Sequence, residues 1–101
     1  MEMFIEGLES AGFSKPEAAM YVALLELGRG TVSQIAIRAK VSRTSGYHVL
    51  SSLVSKGLAT ISGREPKQEY VAEPPERLKR YVDHELERQK GVVGRTVALL
   101  P

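Results

Sequence analysis

Ala18, Tyr21, Val22 and Leu25 recur at i, i+3, i+4 and i+7, the period that lays one apolar stripe along a helix. Ser14-Lys15-Pro16-Glu17 stands before that stripe. It reads as a capping box with proline in the first turn. Gly28 follows the stripe, where a left-handed residue closes a helix. Upstream, Phe4, Ile5 and Leu8 predict a short helix ending near Gly12. Thr31 and Gln34 form a second capping box. Val32, Ile35, Ala36 and Ala39 repeat the stripe, so a short helix is expected over 32–40. Val41 and Ser42 make a tight turn with Ser42 as the next N-cap. A longer helix then runs over 43–56, closed by Gly57.

After Gly57 the period changes. Leu58-Ala59-Thr60-Ile61 is short and β-prone, Ser62-Gly63-Arg64-Glu65-Pro66 is turn chemistry, and Gln68-Glu69-Tyr70-Val71-Ala72 is a returning strand. Together they predict a two-stranded hairpin with a basic tip. Pro74-Pro75 marks a boundary and starts a last helix. Leu78, Tyr81, Val82, Leu86, Val93 and Val97 form its stripe, interrupted by Gln89 and weakened by Gly91 and Gly94. A bend or break is expected there.

Helix, helix, tight turn, helix, hairpin is the order of a helix-turn-helix followed by a wing. The fold expected is mainly α with a small β-hairpin: a winged helix-turn-helix over 1–73 and a C-terminal helix over 74–101. Within the helix over 43–56, Gly46, Leu50, Leu53 and Val54 fall on one face. Thr44, Ser45, His48, Ser52 and Ser55 lie opposite, with Ser51 at the edge. The run Lys40–Ala59 contains five serines, one threonine and no acid. A surface helix cleared of carboxylates but rich in hydroxyls suits a partner that is negative and full of acceptors.

Charge sharpens that picture. The chain has 101 residues and net charge +2. Its first 26 residues carry five acids and one base, while residues 27–68 carry seven bases (Arg29, Arg38, Lys40, Arg43, Lys56, Arg64, Lys67) against Glu65 alone. A basic middle between acidic and neutral flanks is the footprint of a polyanion-binding element. Composition bounds the rest. There is no cysteine, hence no disulfide framework or cysteine metal site, which suits a reducing cytoplasm. The longest apolar run, Ala18–Leu25, is too short to span a bilayer. The acidic N-terminus lacks the basic region of a signal peptide. No metal-ligand spacing, nucleophile motif or phosphate loop occurs around His48, His84 or Asp83, so no enzyme, cofactor or metal is expected.

Double-stranded DNA is the polyanion that fits. The N-terminal half of a recognition helix enters the major groove, where short hydroxyls let the backbone approach. Candidate DNA contacts are therefore Ser42, Arg43, Thr44, Ser45, Tyr47, His48 and Ser52, with Lys40 and Arg38 adding charge beside them. Arg43 can bond a guanine edge or a phosphate. Arg64 and Lys67 on the wing can reach flanking phosphates or a minor groove. Simpler readings stand beside these. Ser42 can serve only as a cap, Tyr47 can pack into the core, and Arg64 and Lys67 can merely solvate a turn. Tyr70 and Tyr81 read as packing.

The runs "PEAAMYVALLELG", "IAIRAKVSRTSGYHVLSSLVSKGLA" and "YVAEPPERL" resemble the winged-helix domain of TrmB-type transcriptional regulators, mostly archaeal, over roughly residues 3–80. That resemblance implies sequence-specific operator binding, usually as a dimer, with Arg43, Thr44, Ser45, Tyr47 and His48 as the DNA-reading candidates. Two features depart from the family pattern. Gly46 stands where a larger apolar residue is usual. The chain also ends at Pro101 without the sugar-binding domain of larger members, so small-molecule sensing is not expected, and the chain is either a small regulator or a fragment of a larger one.

The function expected is a homodimeric, sequence-specific regulator, with Leu78, Tyr81, Val82, Leu86, Val93 and Val97 as the dimer stripe. The same stripe could instead fold back on its own domain. An architectural DNA binder without sequence preference is the alternative, since only Arg43 and His48 have reach on the recognition face.

Overall fold

Both capping boxes form. The Ser14 hydroxyl accepts the Glu17 N–H at 3.2 Å, and the Glu17 carboxylate accepts the Ser14 N–H at 3.1 Å. Thr31 and Gln34 repeat the exchange at 3.2 and 2.9 Å. Two orphan donors are satisfied at each helix start, which fixes α2 (Lys15–Leu27) and α3 (Val32–Ala39) where the sequence places them. The computed structural model describes residues 2–101. In it α1 (Glu2–Ser10) precedes α2, and β1 (Arg29–Gly30) lies between α2 and α3. Then come α4 (Arg43–Ser55), β2 (Ala59–Ser62), β3 (Glu69–Ala72) and α5 (Glu76–Ala98).

The expected hairpin is a three-stranded antiparallel sheet in the order β1-β3-β2, with Gly30 and Ile61 on either side of Tyr70. Two residues carry no readable period, so β1 left no signal. Its identity is fixed by a long-range pairing. Arg29 bonds the Glu69 carboxylate at 3.0 Å and the Ser62 hydroxyl at 3.3 Å, tying all three strands together on the surface.

The core lies where α2, α3 and α4 cross. Residues Ala18, Met20, Tyr21, Val22, Ala23 and Leu24 are all buried, so α2 is enclosed on more sides than its four-residue stripe implies. Leu25, predicted inside, is half-buried. On α4 the buried residues are Gly46, Val49, Leu50 and Leu53, with Val54 packed at the margin. Gly46 is closely packed: a Cβ there would stand 3.3 Å from the Met20 methyl and 3.4 Å from the Ala36 Cβ. A larger side chain at that position would push α4 off α2 and α3.

α5 is one continuous helix of 23 residues. Of the bend or break expected at Gly91 and Gly94, the break does not occur. Each glycine costs about 1 kcal/mol of propensity relative to alanine, and the turns on both sides carry the helix through. Its first half docks on the domain: Leu78 and Tyr81 pack against the core, and the Tyr81 ring meets Phe13 edge-on at 5.7 Å. The second half projects from the body, giving the molecule a long axis of 56 Å against 29 and 25 Å. Among the described residues, no helix is long and apolar enough to cross a membrane.

Candidate nucleic-acid interface

The turn between α3 and α4 aims the candidate site. Lys40 closes α3 in the left-handed conformation (φ 59°, ψ 42°), with its N–H shared between the carbonyls of Ala36 and Ile37. The Val41 N–H then bonds the Ala36 carbonyl at 3.0 Å. Ser42 caps α4, its hydroxyl accepting the Ser45 N–H at 3.2 Å. These short-range bonds close the end of α3, the turn and the start of α4 in succession. Arg43, Thr44, Ser45, Tyr47, His48 and Ser51 all face solvent. The side chains of Thr44, Ser45, His48 and Ser51 make no hydrogen bond among the described residues, which leaves their donors and acceptors open to a ligand.

Arg43 is steadied from its own helix. Its guanidinium donates to the Tyr47 hydroxyl at 3.2 Å and lies 5.7 Å from the centre of the Tyr47 ring. Tyr47 therefore does not enter the core; its hydroxyl is at the surface beside a cation. Both residues line a small cleft with Thr31, Ser33, Glu65 and Gln68, where the N-terminal end of α3, the start of α4 and the wing converge. Sequence reasoning missed Ser33 and Gln68. Their only signal was polarity just after a cap and at the start of a strand.

The wing tip is fixed by backbone geometry. Gly63 has a φ of 81°, and a Cβ there would stand 3.1 Å from the Lys67 carbonyl. The Lys67 N–H bonds the Arg64 carbonyl at 2.8 Å. That turn presents Arg64 and Lys67 to solvent.

Not every sequence candidate joins this surface. Ser52 turns inward and donates its hydroxyl to Glu17 at 2.7 Å in a half-buried cluster with Lys56. Ser55 donates to the Ser52 carbonyl of its own helix. Arg38 is exposed but paired with Glu26 at 3.1 Å. Of the seven bases in the basic middle, Arg29, Arg38 and Lys56 have carboxylate partners within the chain. The other four, Lys40, Arg43, Arg64 and Lys67, form no ion pair among the described residues. The unpaired bases of this middle segment are thus confined to the turn, the start of α4 and the wing.

Leu78 and Tyr81, counted in the dimer stripe, belong to the packing of their own domain. Val82 is half-buried and lines a groove with Ala11, Leu86 and Gln89. Leu86, Val93 and Val97 remain exposed, together with Val92, Leu99 and Leu100.

Solved structures share this architecture. TrmBL2, described as an archaeal chromatin protein with a novel mode of DNA binding, is 26% identical over 96% of this chain with a TM-score of 0.79. The chain spans only 38% of the length of TrmBL2. The ST1889 protein of Sulfolobus tokodaii is 18% identical, with 88% of this chain and 97% of that one covered and a TM-score of 0.70. A MarR family regulator from Silicibacter pomeroyi is 19% identical, covering 99% of this chain and 67% of its own, at a TM-score of 0.62. Curated proteins give no match. The family described as sugar-specific transcriptional regulator TrmB matches residues 8–76, from the end of α1 through the wing to the first residue of α5. The chain belongs to the TrmB family of transcriptional regulators, with their winged-helix DNA-binding fold.

Proposed function

We propose that the protein binds double-stranded DNA as a homodimer and regulates transcription at specific operators. The observation that carries this reading is the distribution of unpaired charge. Lys40, Arg43, Arg64 and Lys67 stand exposed and unpaired on the turn before α4, the start of α4 and the wing, while the other bases of the middle segment are neutralised within the fold. On that reading Arg43, Thr44, Ser45, Tyr47 and His48 meet the major groove, and Lys40, Arg64 and Lys67 meet flanking phosphates. Ser42 orients the helix, and its capped N-terminus favours a phosphate nearby. Arg38 contributes less, because Glu26 shares its charge. The exposed apolar residues of distal α5 give the second copy a place to dock. Two recognition helices about 34 Å apart then read a palindrome.

A second reading has specific support. Hydroxyls dominate the open face of α4, which favours backbone contact over base readout, and TrmBL2 is described as a chromatin protein. On this reading the protein is architectural. Binding to random duplexes and to duplexes selected from a randomised pool, across a salt series, separates the two. Selection of a palindrome bound about 10³-fold above random DNA supports the regulator. Steep salt dependence without preference supports the architectural protein. No binding at low salt removes both.

A further inference from the structure

A second basic surface lies at the other end of α4. Lys56, Gly57, Arg77, Arg80, Tyr81 and His84 line an open groove of about 290 Å³ between the C-terminal end of α4 and the first turns of α5. No acid lines it. Arg77, Arg80 and His84 follow one another at i, i+3 and i+7, so α5 presents them along one face. None of the three forms an ion pair among the described residues. One turn further on, α5 matches its charges: Arg88 bonds Glu85 and Lys90 stands 3.7 Å from Glu87. Like charges stacked at helical spacing repel. Along this groove the lining carries bases and no acid, a cluster that an anion would neutralise, while Glu76, Asp83 and Glu87 stand with Arg80 and His84 on the adjoining side of α5.

We propose that this groove binds a small phosphate-bearing molecule. Two guanidinium forks one turn apart offer more donors than one carboxylate can accept, and they suit the several oxygens of a phosphate. The imidazole of His84 adds a further polar group. The Tyr81 ring and the bare backbone of Gly57 leave room and an apolar wall for an organic body. The volume lies near the lower bound for small-molecule sites. DNA is the poorer occupant. The groove is concave, and the 13 residues of α4 put it about 20 Å from Arg43 along the helix axis. A ligand here would also touch Lys56, whose ammonium joins α4 to Glu17 of α2. This assignment is independent of the DNA-binding reading.

The test is an NMR titration of the whole chain with inorganic phosphate, against sodium chloride at matched ionic strength. Saturable shifts are expected at Gly57 and across residues 77–84, with a Kd of about 1 mM. In Arg77→Gln/Arg80→Gln the affinity falls about tenfold or more, while the rest of the spectrum and the thermal midpoint stay native, since both side chains are exposed. Arg43→Gln leaves phosphate binding intact. Shifts that match those in chloride overturn the assignment, as does equal affinity in the double variant. It is also overturned if a short duplex moves residues 77–84 and free phosphate does not, because the groove then serves DNA.

Discussion

The Lys56 ammonium sits on the Glu17 carboxylate, with the Phe13 and Tyr81 rings closing over it at 4.8 and 5.6 Å from their centroids. One side chain therefore joins α2, α4, α5 and the loop before α2. Burial alone would raise the Glu17 carboxyl. Hydrogen bonds from Lys56, Ser52 and the Ser14 N–H, with the charge of Lys56, outweigh it and hold the group at about 2, against 4.5 for a free glutamate.

That depression makes stability depend on pH in a defined window. The unfolded chain takes up a proton near 4.5 while the folded chain refuses it until about 2. The contribution is complete above roughly pH 5 and is lost as pH falls from there through 2. It amounts to about 2 kcal/mol once discounted for partial exposure. Denaturant unfolding at pH 6 and pH 3 should show this loss. In Lys56→Met the fold should be weaker by about 2 kcal/mol at pH 6, because a half-buried carboxylate loses its cation. The difference between the two pH values should shrink. An unchanged pH profile in that variant would show that Lys56 does not set the Glu17 titration.

Tyr21 offers a change in the opposite direction. Its ring is fully buried in the core and its hydroxyl finds no hydrogen-bond partner. Burial also pushes its ionisation up, so the hydroxyl stays neutral. A buried donor without a partner costs about 1–3 kcal/mol. Tyr21→Phe should therefore raise stability by about 1 kcal/mol with DNA binding unchanged. A loss of stability would mean that the hydroxyl has a partner, such as a buried water.

Where local chemistry decides the structure, the sequence was readable. Ser14 with Glu17, and Thr31 with Gln34, mark helix starts because the bonds they make span only three residues. The stripe on α4 was readable for the same reason, and so was the wing, from its turn residues. What escaped depends on partners far along the chain. The inward turn of Ser52 requires Glu17, 35 residues away. The neutralisation of Arg29 by Glu69 and of Arg38 by Glu26 is equally invisible to a local pattern. The stripe of α5 did not reveal its two environments: Phe13 and the core claim Tyr81 and Leu78 and leave Val93 and Val97 bare. Helical period fixes which residues share a face, but not what covers that face.

Lys40 sets stability against binding. It is the one described non-glycine residue with positive φ, a conformation that costs an ordinary side chain about 1 kcal/mol. Glycine is the usual occupant of such a cap. Lys40→Gly should therefore stabilise the fold by about 0.5–1 kcal/mol. If the ammonium meets a phosphate, the same change weakens DNA binding and lowers the salt slope by about 1. Calorimetry and a salt series on one variant read both effects. Unchanged affinity would remove Lys40 from the interface and leave its left-handed backbone without a functional reason.

Leu86, Val93 and Val97 are 51%, 61% and 58% exposed on a helix whose distal half touches nothing in its own chain's core. Stable dimers cover about 800 Å² on each partner, and two such helices packed side by side can supply much of it. Replacing Val93 and Val97 by lysine puts four charges into that seam in the dimer. The monomer loses little, because exposed positions away from the core change stability by about 0.5 kcal/mol or less. Sedimentation should show the native chain as a dimer and the double variant as a folded monomer with an unaltered far-UV spectrum. Affinity for a two-half-site operator should drop far more than affinity for a single half-site, since the second recognition helix is no longer tethered. A variant that stays dimeric would place the contact elsewhere, and the groove of Ala11, Val82, Leu86 and Gln89 would be the next surface to charge.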